Sequence, residues 1–352
     1  MTNTAISDQA TELWGSVPGY LNAATLGLPP RRVVSAMQDA LADWAGGRAC
    51  PARYDEQVNA ARGHYADLVG VPASQVAVGS QASVMAGAVA ASLPRGAEVV
   101  AIRDDFTSII FPFLVQQTER DVTVRLVPRE ALAEEVREST DLVVFSLAQS
   151  ACGRMVDLPA VTAAADRHGA LTFCDTTQAA GWLPVRADAF DLTVCSAYKW
   201  LCQPRGTAYL TVAPEVTDRL VPVNAGWYAG ESIWDSTYGP EMTLAGDARR
   251  FDVSPAWLSW VGAAAAGEVF AELDIEAVHR HNGALADRVR AALGHEPCGR
   301  PVLALPDADG RLAARLTEAG AVIASRGGGV RTAFHLWNTE EDVDLVLRAL
   351  HD

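Results

Sequence analysis

Short apolar runs recur along the first two thirds of the chain, and they constrain its fold more than any other feature. They are Val76 to Val78, Glu98 to Ile102, Val122 to Val127, Asp141 to Ser146, Ala170 to Cys174, Asp191 to Ser196 and Thr207 to Val212. A strand with one face on a core alternates apolar and polar residues, whereas these runs are apolar on both alternating faces and therefore need cover on both sides. Stretches with helical spacing, such as Leu158 to His168, lie between them and supply that cover. The expected architecture is α/β, with a seven-stranded, mostly parallel sheet between helices. From Val253 onward the pattern changes to two helical stretches, Trp257 to Leu273 and Ile275 to Leu293. A short strand-helix-strand alternation follows and ends in a helix over Thr339 to Leu350.

At 352 residues the chain is long enough for about two domains. Its net charge of -15 repels nucleic acid and anionic membrane alike, so neither is expected as a partner. No basic segment precedes an apolar run at the N-terminus, and no charge-free stretch is long enough to span a bilayer, so a cytoplasmic location is expected. The six cysteines (Cys50, Cys152, Cys174, Cys195, Cys202 and Cys298) show no metal-ligand spacing. They read as small core residues in a reducing compartment, and no metal is expected.

Two of the apolar runs end in residues with chemistry to offer. Asp175 closes one, and Lys199 follows the next by three residues, 24 positions further on. A lysine amine forms a Schiff base with an aldehyde cofactor, and an aspartate facing a pyridine nitrogen keeps that ring protonated and electron-withdrawing. Singly, a lysine past a strand is a solvated charge and an aspartate before Thr-Thr is a helix cap. The wider strings are more telling: Phe173-Cys-Asp-Thr-Thr-Gln-Ala-Ala-Gly-Trp-Leu-Pro184, then Ser196-Ala-Tyr-Lys-Trp-Leu201 and Pro204-Arg-Gly-Thr207. They resemble the class V aminotransferase group of fold-type I pyridoxal phosphate enzymes.

That resemblance implies an N-terminal arm at the substrate site (residues 1–30), a large cofactor-binding domain (31–252) and a smaller α+β C-terminal domain (253–352). It implies pyridoxal 5′-phosphate as cofactor, with Lys199 as its attachment point and Asp175 at its ring nitrogen. Gly79 to Ser83 follows a strand and opens a helix, and free amides at a helix start suit a dianionic phosphate. By resemblance Ser80, Gln81 and Ser83 hold that phosphate, joined by Ser196; Tyr198, a phenol in place of the family's usual residue, is expected to donate to it as well. Phe106 fills the place of the aromatic residue stacked on the cofactor ring. Gln178 matches the residue bonding the cofactor's phenolic oxygen, and either Gln149 or Ser150 contacts the same edge. Many class V members read Ser-Gly-His-Lys where this chain reads Ser-Ala-Tyr-Lys, so no histidine is available there. Gly226 to Gly230 resembles a segment that kynureninase-like members donate across a dimer interface, which implies a homodimer with Trp227 shared between sites.

For the substrate, an amino acid, the resemblance assigns the α-carboxylate to Arg331 in Gly327-Gly-Gly-Val-Arg331 and to Asn22 in Tyr20-Leu-Asn22. His335 and Asn338 are expected to hold a turn. Cysteine desulfurases carry a nucleophilic cysteine shortly before this arginine, whereas Ala324 to Gly329 has none. The stretches Ala248 to Gly262 and Trp234 to Pro240 resemble an actinobacterial branch. It contains the carbon–sulfur lyase of ergothioneine biosynthesis and the cysteine S-conjugate enzymes of lincosamide assembly. The leading expectation is β-elimination from a cysteine S-conjugate or its sulfoxide, because a good leaving group needs only Lys199 as base. Transamination, epimerisation and decarboxylative deamination are the alternatives within the family. A non-catalytic cofactor-binding sensor is the alternative outside it, without an attached nucleic-acid-binding segment to support it.

Overall fold

A computed structural model describes residues 3–351. All seven apolar runs are strands: β1 (Val76–Gly79), β2 (Glu98–Ile102), β3 (Thr123–Val127), β4 (Leu142–Ser146), β5 (Leu171–Asp175), β6 (Leu192–Ser196) and β7 (Ala208–Val212). They form one sheet in the order β1-β7-β6-β5-β4-β2-β3. β7 runs antiparallel to both β1 and β6, and the remaining pairs are parallel. The segment from Ala197 to Thr207 turns back at the sheet edge without a crossover helix, which makes the following strand antiparallel. Six strands therefore end at one edge, where ligands of open α/β sheets bind.

Both faces of the sheet are covered, as the unbroken apolar runs require. Val76, Val78, Val100, Ile102, Val143, Phe145, Cys174, Cys195 and Tyr209 face one core. Their alternates Ala77, Val99, Ala101, Val144, Phe173, Val194 and Leu210 face the other. The second core is closed by α4 (Ala82–Ser92) and α5 (Thr107–Arg120), the first by α3 (Pro51–Val69), α6 (Leu158–His168) and α7 (Trp257–Ala271). The α7 run Gly262-Ala-Ala-Ala-Ala-Gly267 is nearly featureless. A Cβ on Gly267 would lie 2.8 Å from His64 Cβ on α3, so small residues let the two helices close together.

The C-terminal region contains α8 (Ile275–Ala292), β8 (Val302–Pro306), α9 (Arg311–Glu318), β9 (Ala324–Arg326), β10 (Gly329–Ala333) and α10 (Glu340–His351). Its sheet is antiparallel in the order β8-β10-β9, one strand more than the sequence pattern suggests. The extra strand arises because Gly327 and Gly328, at φ 54° and 78°, fold β9 onto β10 through a tight turn that glycine favours. Leu21 joins the core of this sheet, and the arm extends it through bridges pairing Tyr20 with Val322 and Asn22 with Ala333. The cysteine expectation holds in part: Cys174, Cys195 and Cys202 are buried, but Cys50 and Cys298 are exposed. Those two precede a helix and lie in a loop, where no strand face draws a thiol inward. No helix among the described residues is long and apolar enough to cross a membrane.

Candidate active site

The C-terminal ends of β5 and β6 place Asp175 and Lys199 in the interior, at 4% and 5% exposure. Thr177 holds the first: its backbone N–H donates to Asp175 Oδ1 at 2.8 Å, while its Oγ1 accepts from Ser196 N at 2.9 Å. Burial pushes the Asp175 carboxyl up to about 6 against those bonds and the attraction of Lys199. Burial likewise brings the Lys199 amine down to about 8; Asp175 opposes that, and Arg331 and Arg326 add to it. Each charge is thus destabilised by burial and sustained in part by the other. Lys199 Nζ lies 5.1 Å from the Phe106 ring centroid and 5.7 Å from that of Tyr198.

The N-terminal arm presses against this turn. Gly27 donates to Tyr198 O at 2.9 Å, and a Cβ on Gly27 would sit 1.9 Å from Lys199 O, so glycine is needed for the approach. Cys202 then turns the chain away in the left-handed region, at φ 55°.

At one end of the site, Ser80, Gln81, Ser83, Phe106, Ser196 and Tyr198 line a cavity of about 310 Å³, so six residues picked out in the sequence meet there. It opens at the start of α4, where the N-cap residue Gln81 makes no side-chain cap bond of its own. Ser196 Oγ accepts from Ala82 N at 3.0 Å and so retains its own hydroxyl proton for a ligand. Arg205 also lines the cavity, with its guanidinium 4.8 Å from the Tyr198 ring centroid. Sequence reasoning passed over this arginine, although it lies within the quoted Pro204 to Thr207 motif. A dianion at a helix start beside serines and an arginine is well matched chemically.

At the other end, Arg331 on β10 is 2% exposed. It donates to the Ser150 carbonyl and hydroxyl and, at 2.6 Å, to Thr25 Oγ1; its Nε has no partner. No carboxylate pairs with it among the described residues, and burial together with Arg326 lowers its pKa to about 10. Ser150 also accepts from Gln178 Nε2 at 3.0 Å. The other Gln178 amide hydrogen goes to Ala24 O at 3.0 Å, and its Oε1 accepts from Trp200 at 2.8 Å. Gln178 therefore ties the arm to the site through both amide hydrogens. Gln149 Nε2 and Asn22 Oδ1 are buried without partners. Gln149 has its amide free, and Ser150, which only accepts in these bonds, keeps its hydroxyl proton, so both have a donor to offer.

Trp227 lies apart from this group; its ring contacts are Tyr228, at 5.2 Å, and Trp234, at 5.3 Å. His335 and Asn338 hold the turn as expected. The Asn338 side chain accepts from His335 N at 2.8 Å and donates to Tyr20 O at 3.1 Å, while His335 Nε2 meets Trp200 O at 2.9 Å. Burial holds the His335 imidazole down to about 3, so it is neutral.

The fold and this site define an α/β enzyme of the fold-type I pyridoxal phosphate architecture. Residues 20–298 match the aminotransferase class-V family, and the chain belongs to that family; its cofactor is pyridoxal 5′-phosphate. It is 28% identical over 312 residues to an uncharacterized aminotransferase of Bacillus subtilis, covering 82% of this chain and 81% of that protein. It is 29% identical over 289 residues to a kynureninase of Deinococcus radiodurans, covering 76% and 69%. A cysteine desulfurase from Escherichia coli shares the fold with a TM-score of 0.83 at 20% identity, covering 100% of this chain and 98% of that one. A cystine C–S lyase superposes with a TM-score of 0.83 at 19% identity, covering 94% and 97%.

Proposed function

We propose that the protein is a carbon–sulfur β-lyase acting on a cysteine S-conjugate or its sulfoxide, releasing pyruvate, ammonia and a thiol or sulfenate. The observation that carries the amino-acid reading is Arg331, a buried cation that pairs with no carboxylate among the described residues and keeps an unpartnered Nε. Removing a guanidinium from water is costly unless an anion faces it, so the site is built for a substrate carboxylate. When bound, pyridoxal phosphate supplies an aldehyde to capture the substrate amine and a ring that draws electrons from the α-carbon. Lys199 anchors it and then serves as the base for the α-proton, aided by an amine pKa near 8. Asp175 would face the ring nitrogen and keep it protonated, and Phe106 would cover the ring. Ser80, Gln81, Ser83, Ser196, Tyr198 and Arg205 would hold the phosphate, and Gln178 with Gln149 or Ser150 would meet the ring edge that bears the phenolic oxygen.

Elimination is favoured within the family because the loop before Arg331 carries no thiol and Lys199 alone meets the need for a base. The likeness to a cystine C–S lyase supports this scaffold as one suited to such chemistry. Of the aromatic residues near the motifs that could receive a bulky S-substituent, Trp227, Tyr228, Trp234, Tyr238, Trp257 and Trp260, two are core residues at 1% exposure, Trp260 and Tyr228. Trp227, Trp234, Tyr238 and Trp257 remain, and in a homodimer residues 226–230 of each subunit would reach the other's site. The arm, large domain and small domain divide near residues 30 and 252 in this reading.

S-substituted cysteines should release pyruvate and ammonia without an added 2-oxo acid. A requirement for that acceptor makes the enzyme a transaminase, and CO2 with an S-linked aldehyde makes it a decarboxylating deaminase. Purified protein should show a near-violet absorption band that borohydride abolishes; a reducible adduct in Lys199→Ala would refute the anchor. Sedimentation at micromolar concentration checks the dimer.

A further inference from the structure

The hairpin that carries Arg331 holds a second arginine on the same side. β9 and β10 pair in the register Ala324 to Arg331, Ser325 to Val330 and Arg326 to Gly329. Paired residues of an antiparallel ladder share a face, as do residues two apart on one strand. Ala324, Arg326, Gly329 and Arg331 therefore project from one side, while Val330 on the opposite side is buried with Leu303, Leu305 and Leu316. Between the two arginines this face carries only the methyl of Ala324 and the bare Gly329.

Among the described residues no carboxylate makes use of Arg326. It is exposed, and its guanidinium donates to the adjacent Ser325 carbonyl at 2.9 Å. Its charge nonetheless reaches inward. Next to burial it is the group that lowers the Arg331 pKa, and it contributes to the lowering at Lys199. A cation placed where it opposes two others, at the mouth of an anion-binding site, becomes favourable when a ligand brings further negative charge.

We propose that Arg326 sets specificity by receiving a second acidic group of the substrate. The preferred substrates are then amino acids whose S-substituent or side chain ends in a carboxylate, sulfinate or sulfonate. This rests on Arg331 holding the α-carboxylate and places the far end of the same molecule.

The test is a titration of the holoenzyme, followed by cofactor absorbance, with S-carboxymethyl-L-cysteine and its isosteric amide S-carbamoylmethyl-L-cysteine. Wild type should bind the acid about tenfold more tightly than the amide, the scale of one charge-assisted contact. Arg326→Ala should bind both alike with unchanged affinity for the amide, and Arg326→Lys should keep much of the preference. Added salt should narrow the ratio, because the contact is exposed. Equal binding by wild type overturns the proposal and leaves the Arg331 clamp standing, as does an Arg326→Ala variant that weakens acid and amide by the same factor. If Arg331→Lys instead binds both ligands as tightly as wild type, the carboxylate reading beneath it fails as well.

Discussion

Two arginines are buried almost equally, Arg62 at 4% exposure and Arg331 at 2%, yet the fold treats them in opposite ways. Arg62 on α3 meets Asp252 through two bonds, at 3.1 Å and 2.7 Å, and donates to Val76 O at 2.6 Å. Asp252 in turn accepts from Val78 N at 2.8 Å, so the pair fastens α3 and the segment before α7 to β1. Burial works against the Arg62 charge, but Asp252 outweighs it and the pKa rises. Arg331 receives neutral oxygens from Ser150 and Thr25 and keeps an unpartnered Nε. The contrast shows how to separate a structural ion from a functional one: the first has its counter-charge in the chain, and the second awaits it from a ligand.

The largest expected effect is at the structural pair. Asp252→Ala leaves a buried guanidinium uncompensated and should cost about 3–5 kcal/mol in urea unfolding. Arg331→Met should change the stability of the apoprotein little, because it removes a charge that was never paired. If the two variants lose the same stability, the distinction collapses.

Asp175 is an intermediate case, a buried carboxylate sustained in part by Lys199. Its folded pKa of about 6 exceeds the ordinary value of 3.8, so between those values the folded state keeps a proton that the unfolded state has released. Raising the pH from about 4 to about 6 should therefore cost the apoprotein up to about 3 kcal/mol, at about 1.4 kcal/mol per pKa unit. The check is the stability of wild type minus that of Asp175→Asn across this window. A flat difference would mean that the carboxyl is not held up by burial.

Arg331→Lys keeps the charge but loses the bidentate fork, and should weaken amino-acid binding to the holoenzyme by about 1.5–3 kcal/mol. Unchanged affinity would return Arg331 to the structural class with Arg62. The smallest effect is expected at the exposed phosphate end, where Arg205→Ala should weaken binding of pyridoxal phosphate by about 1 kcal/mol. Binding of unphosphorylated pyridoxal should be unaffected. An equal loss for both ligands would make Arg205 a packing residue on Tyr198.

Much of the site was legible because its residues lie near strand ends. Asp175, Ser196 and Lys199 sit at or just past apolar runs, and Ser80 to Ser83 lies between a run and a helical stretch, so local periodicity locates them. The surroundings of Gln178 were less legible. Its spacing from Asp175 is local, but its bonds to Ala24 and Ser150 reach elements 154 and 28 residues away. Arg205 was missed because an arginine in a turn is ordinarily solvated, and only its stacking on Tyr198 sets it apart.

The sequence by itself determined the seven strands, the cover on both sheet faces, and a lysine and an aspartate brought to one edge. Those follow from periods of two and 3.6 residues that operate within a dozen positions. Tertiary structure decided the reversed β7, the β9–β10 hairpin with two arginines on one face, and which polar atoms remain unpartnered. Such outcomes depend on contacts like that between Arg331 and Thr25, 306 positions apart, which no local pattern encodes. They form when the chain closes on itself and each buried group finds a partner or is left to await a ligand.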